Sequence, residues 1–207
     1  MRSRYSLLFL LFSCQFIWAQ KYYPTEEFTI NQGLSNNEIT CLYEDNNGFL
    51  WIGTTDGLNR FDGYSFTKYS TELDNSSSIP NDHIYKIAED KYNNLWCASE
   101  GGLFKLNLLS NHFSTFSNRI DTLSFPEYSP VYDFTIDTIS NHIFFIGKHF
   151  YGKLDLSSEY IERYPINSDY SLGNLKLNFS IETKYNDNRI LFAKNDGVFC
   201  HNIENDS

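Results

Sequence analysis

Histidine, cysteine and paired carboxylates supply most protein chemistry, and in this chain they are scattered. The five histidines, His83, His112, His142, His149 and His201, lack the close pairing of zinc ligands and read as surface or core residues. Asp133 and Asp137 invite an acid/base reading. On a strand, four residues at roughly 3.3 Å each place them on one face about 13 Å apart, too far for a glycosidase pair. Asp56-Gly57 and Asp62-Gly63 offer carboxylates to calcium, but neither has the spacing of a calcium loop, and both read as turns. Cys41 and Cys97 read as small buried strand residues, with no assignable base to activate either. No nucleophile motif, phosphate loop or dinucleotide fingerprint is present. No catalytic, cofactor-binding or metal-ligating residue is therefore assigned, no cofactor is implied, and the segment is expected to perform no chemistry. Individual ligand-binding residues are not assigned either. Two aromatic stretches, Phe125-Pro126-Glu127-Tyr128 and His149-Phe150-Tyr151, interrupt the local pattern and are the places where rim loops would bind a ligand.

The elements that must carry these residues follow from an internal repeat. Phe49-Leu50-Trp51-Ile52-Gly53-Thr54-Thr55-Asp56-Gly57-Leu58 has a near-copy in Leu95-Trp96-Cys97-Ala98-Ser99-Glu100-Gly101-Gly102-Leu103, 45 residues on. A period of that size marks a repeat architecture. Trp51 and Trp96, recurring at one strand position, read as core residues between repeats rather than as sugar platforms. Short alternating runs joined by Asn-, Asp- and Gly-rich turns make four antiparallel strands in about 40 residues, which is a propeller blade. The fold class is thus all-β, a propeller of four-stranded antiparallel blades at 33–70, 79–117, 129–166 and 175–207. Phe145 and Leu191 are placed at the tryptophan position of the third and fourth blades, with one residue lost before Gly152. The fourth blade lacks a last strand, and Glu27-Phe28-Thr29-Ile30 is a candidate outer strand to complete it. Either these residues close a small four-blade ring, or the chain begins a larger propeller.

Composition agrees. Aromatic residues make up 17% of the 207, led by 18 Phe and 15 Tyr, which favours strands. The net charge of −10 argues against a nucleic-acid partner, which needs clustered Lys and Arg. Residues 1–19 have the form of a cleaved signal peptide: Arg2 and Arg4, an apolar run to Trp18, then Ala19 before Gln20. Export to the periplasm is expected, with lipidation at Cys14 as the alternative. Asn75-Ser76-Ser77 and Asn178-Phe179-Ser180 match glycosylation acceptors, a match of little meaning in a bacterial-looking chain.

Gly33-Leu34-Ser35-Asn36, Glu44-Asp45-Asn46-Asn47-Gly48-Phe49-Leu50-Trp51-Ile52-Gly53-Thr54 and Gly57-Leu58-Asn59-Arg60-Phe61-Asp62 closely resemble the two-component regulator propeller repeat. Glu89-Asp90, Leu95-Trp96 and Gly101-Gly102-Leu103 carry a second copy, with Cys97-Ala98 in place of Ile-Gly. The third and fourth copies keep the layout alone. The resemblance implies the periplasmic sensor of a hybrid two-component system of the Bacteroidetes type. Its propellers would recognise an oligosaccharide and signal through one membrane helix to a cytoplasmic histidine kinase. Implied partners are that glycan, further blades and the kinase of a longer parent, and a second copy of the parent sensor. An exported carbohydrate-active enzyme, or a truncated scaffold that no longer signals, are the alternatives.

Overall fold

The structure, a computed structural model, describes residues 25–72, 75, 78–116, 130–147 and 150–165, and the backbone of 181–183, 189–194 and 197–202. The signal-peptide stretch 1–19, the 125–128 loop, His149 and the 178–180 acceptor lie outside them.

Among the described residues fifteen strands form four sheets, each in chain order and antiparallel. The first holds β1 (Ile39–Glu44), β2 (Leu50–Thr54), β3 (Gly57–Phe61) and β4 (Phe66–Tyr69). The second holds β5 (Ile84–Glu89), β6 (Asn94–Ser99), β7 (Gly102–Asn107) and β8 (His112–Thr115). The third holds β9 (Val131–Asp137), β10 (His142–Gly147), β11 (Phe150–Asp155) and β12 (Ile161–Pro165). The fourth has three strands among the described residues, β13 (Ile181–Thr183), β14 (Arg189–Lys194) and β15 (Gly197–Asn202). First strands neighbour first strands, β1 beside β5, β5 beside β9 and β9 beside β13. They are the innermost strands of blades set side by side about an axis. This is the propeller arrangement that the repeat implies.

The motif residues explain themselves locally. The Asp45 carboxylate accepts from the backbone N–H groups of Asn47 (2.9 Å) and Phe49 (3.0 Å), closing the first turn. Its other oxygen accepts from Trp51 Nε1 at 2.7 Å. Asp90 does the same for Tyr92 (2.8 Å), Asn94 (3.0 Å) and Trp96 Nε1 (2.7 Å). The turn needs one left-handed residue, supplied by Gly48 (φ 83°), then by Asn93 (59°) and Asn141 (61°). One aspartate thus fixes the hairpin and satisfies a buried indole. These spaced residues are structural.

Two separate cores lie between blades. Between the first and second, Trp51 and Leu58 meet Ile84, Ile87, Leu95, Cys97, Phe104, Leu106 and Phe113. Between the second and third, Trp96, Ala98, Leu103 and Phe116 meet Val131, Phe134, Ile143, Phe145, Phe150, Leu154 and Ile161. Both tryptophans, each about 1% exposed, therefore point forward to the next blade.

Phe145 does not share their position. It points backward with Ile143 and Leu154, into the same core that receives Trp96 from the other side. Its cross-strand partner is Gly152. Trp51 and Trp96 stand opposite Arg60 and Lys105, and the residue opposite the matching Lys153 is Phe144. The third blade's first turn has one residue more between its aspartate and the left-handed asparagine (Asp137 to Asn141, against Asp90 to Asn93). With that insertion counted, no residue is lost before Gly152, and the tryptophan position falls on Phe144. One residue of slip moves a side chain to the other face. Leu191 does keep the tryptophan register, three residues before the Lys194–Gly197 pair as Trp96 is before Ser99–Gly102.

Two further expectations are corrected. Residues 27–30 form no strand. Thr29 caps a 3-10 turn, Ile30–Gln32, by accepting from the Asn31 N–H, and Phe28 sits on Phe61 and Phe66 at the outer edge of the first blade (4.8 and 5.8 Å between centroids). A Thr-x-x-Gln capping box at this point favours the turn over the strand. Phe150 and Tyr151 are not rim-loop residues. They begin β11 and are buried, 2% and 7% exposed.

Candidate functional site

The residues singled out for chemistry do not converge. Asp133 is held by Lys86, whereas Asp137 caps its own turn through Ser140 and Ile139. His142 stands 3.6 Å from Asp155 in the next strand, apart from His83. Among the described residues no group of three His, Cys, Asp or Glu is arranged to hold a metal. Asp62 fixes its turn by accepting from the Tyr64 and Ser65 N–H groups.

Cys41 and Cys97 are free thiols. Burial pushes Cys41 up to about 11 and Cys97 well above its usual range, so both stay protonated and unreactive at neutral pH. Iodoacetamide at pH 8 is expected to leave both unlabelled in the folded protein and to alkylate both after denaturation, read by peptide mass spectrometry. The same shift makes stability pH-dependent. An unfolded thiol ionises from about pH 9 while the folded one holds its proton. Stability is then whole below pH 9 and declines between about 9 and 11.

The place where polar and aromatic groups do come together is the mouth of the axis, at the start of the inner strands. The inner strands of the first three blades, β1, β5 and β9, are each bulged at the same point. The ladder skips between Ile39 and Cys41, between Ile84 and Lys86, and between Val131 and Asp133. The unpaired residues are Thr40, Tyr85 and Tyr132. Bulges re-aim a side chain and recur beside functional sites. The residue before each is β-branched and apolar; Ile84 and Val131 are buried at 0% and 2%, anchoring the strand while the next residue is released.

Tyr85 and Tyr132 meet edge to face, 5.1 Å apart at 71°. The His83 ring lies 4.5 Å from Tyr85 at 33°. The Tyr85 hydroxyl donates to Glu100 Oε2, and Glu100 is fixed in the β6–β7 turn by its N–H donating to the His83 carbonyl at 3.1 Å. Burial, followed by Glu100, pushes the titration of both phenols up. Both are therefore neutral hydroxyls at physiological pH. One layer deeper, Lys86 Nζ reaches Asp133 Oδ1 at 2.5 Å, bridging the second and third blades. Lys86 is 39% exposed at its side chain and Asp133 9%. The cluster is half-buried, carries three aromatic rings, and has one carboxylate open to solvent.

Sequence reasoning placed binding in the aromatic loops and missed Tyr85 and Tyr132. The signal was available in the inner strands themselves. Aligned on the bulge, Ile39-Thr40-Cys41, Ile84-Tyr85-Lys86 and Val131-Tyr132-Asp133 put an aromatic twice at one register.

Comparison with known proteins follows the repeats. The family model described as two component regulator propeller matches residues 33–56 and 78–101. Over 54 residues, 26% of this chain, the sequence is 43% identical to histidine kinase P4 of Formosa agariphila. By fold the chain is similar to the extracellular domain of the hybrid two component system BT3049 from B. thetaiotaomicron, with TM-score 0.72 and 24% identity over 87% of this chain. The extracellular domain of BT4673 from B. thetaiotaomicron gives 0.64 and 17% over 90%. Dihydro-heme d1 dehydrogenase NirN shares the fold more distantly, at 0.55 and 11% over 82% of this chain. The chain spans 4% of the kinase and 25% and 23% of the first two structures. Among the described residues no helix is long and apolar enough to cross a membrane. The aspartate-capped turn, the forward tryptophan and the matched segments agree: residues 33–56 and 78–101 are two copies of the two-component regulator propeller repeat.

Proposed function

We propose that this chain is the ligand-recognising part of an exported sensor, binding an oligosaccharide and acting through the histidine kinase of a longer parent. The observation that carries this reading is the pair of family repeats at 33–56 and 78–101, together with a fold shared with extracellular domains of two-component systems. Residues 1–19 direct the chain to the periplasm and are removed there. The segment itself performs no chemistry, and the parent signals as a homodimer.

Isothermal titration of the protein with defined oligosaccharides, followed by chromatography of the same mixtures, tests the reading. Saturable binding with the glycan recovered intact is the expected result. Release of shorter products would overturn it in favour of a carbohydrate-active enzyme. For the signalling half, the coding DNA beyond Ser207 is expected to run on through more repeats, one spanning helix and a kinase.

A further inference from the structure

We propose that the mouth of the axis, formed by Tyr85, Tyr132, His83 and Glu100 over the Lys86–Asp133 pair, is the sugar-binding site and is specific for uncharged glycans. This inference rests on the sensor reading above and adds where the glycan sits and which kind it is.

Three observations support it. The bulges are the first. Skipping a residue sacrifices ladder pairing in each of three strands, and a residue so released is aimed away from the sheet. In two of the three blades that residue is tyrosine. Both tyrosines stay partly accessible, although Tyr85 also packs against the core between the second and third blades.

The second is the match to sugar chemistry. A pyranose presents an apolar C–H face and a ring of hydroxyls. Aromatic faces take the first, and groups that both donate and accept take the second. The neutral phenols of Tyr85 and Tyr132 supply both. Glu100 accepts from a sugar hydroxyl with its second oxygen while the first holds Tyr85. The arrangement is preorganised, because Glu100 is tied to the His83 backbone and Tyr85 is wedged between His83 and Tyr132.

Charge sets the specificity. Lys86 and Asp133 neutralise one another, which leaves Glu100 as the uncompensated charge of the cluster, on a chain of net charge −10. A uronic or sulfated sugar would meet like charge at Glu100, and such juxtaposition disfavours binding. A neutral glycan meets none.

The test is titration calorimetry of the full chain with uncharged trisaccharides (cellotriose, xylotriose, mannotriose, arabinotriose, laminaritriose) and with trigalacturonate. At least one neutral trisaccharide is expected to bind. Tyr85→Ala and Tyr132→Ala should each weaken it tenfold or more. Leu109→Ala, in the β7–β8 turn at the opposite end of its blade and 82% exposed, should leave binding unchanged. Tyr85→Phe, which keeps the ring and cannot unfold the blade by cavity formation, should weaken binding by less than Tyr85→Ala. Neutral binding unaffected by both alanine variants would overturn the site while the sensor reading stands. Binding confined to trigalacturonate would overturn the charge argument. Absence of binding by every glycan would sink the glycan-sensor reading, and this inference with it.

Discussion

Trp96→Ala is expected to destabilise the protein by about 3–5 kcal/mol, the usual cost of deleting a buried aromatic, seen as a lowered denaturant midpoint. The indole is about 1% exposed and fills the core between the second and third blades beside Phe116, 5.0 Å away. Lys105 covers its face at 5.6 Å. Deletion also removes one of two side-chain donors to Asp90 Oδ2, a carboxylate in a residue 3% exposed. Trp96→Phe should cost distinctly less. It keeps most of the ring volume, and Asp90 still accepts from the Tyr92 and Asn94 backbone N–H groups and from Asn94 Nδ2. A loss below about 1 kcal/mol for the alanine variant would contradict the burial described here.

The second large effect concerns Gly152. A Cβ there would stand 2.5 Å from both the Glu162 carbonyl oxygen and the Phe145 ring. Gly152→Ala is expected to cost roughly 1–3 kcal/mol by overpacking. In a double-mutant cycle with Phe145→Ala the two losses should sum to more than the measured double, because removing the ring relieves part of the collision. The same cycle with Phe144→Ala should be additive, since Phe144 stands opposite Lys153. Additivity with Phe145→Ala would contradict the pairing of Phe145 with Gly152. The second blade solves the same volume problem in reverse, with Cys97 opposite Phe104. Small and large have exchanged strands while the filled space persists.

That exchange shows what was legible in the sequence. The tight repeat, its hairpins and the forward tryptophans could be read because turn chemistry and alternation are local. The third blade's register differs by one from that expected, because its first turn is one residue longer and Phe144, not Phe145, stands opposite Lys153. Lys153-Leu154-Asp155-Leu156 against Lys105-Leu106-Asn107-Leu108 held the right offset. Residues 27–30 alternate as a strand would, but a local capping box outweighed pairing with a distant edge. The cluster at the axis was not read at all. Bulges leave no mark in a single strand, and Tyr85, Tyr132 and Glu100 meet only once blades stand side by side. The family motif itself says nothing of the ligand, since its aspartate and tryptophan are occupied with one another.

The two interblade cores share no side chain. The second blade gives Leu95, Cys97 and Phe104 to one seam and Trp96, Ala98 and Leu103 to the other. Cohesion therefore passes from neighbour to neighbour, as in a stack whose members are each gripped by the one before. A lesion at Trp51 loosens the first junction without thinning the second, so damage should travel by whole blades, and melting should proceed in steps instead of as one event.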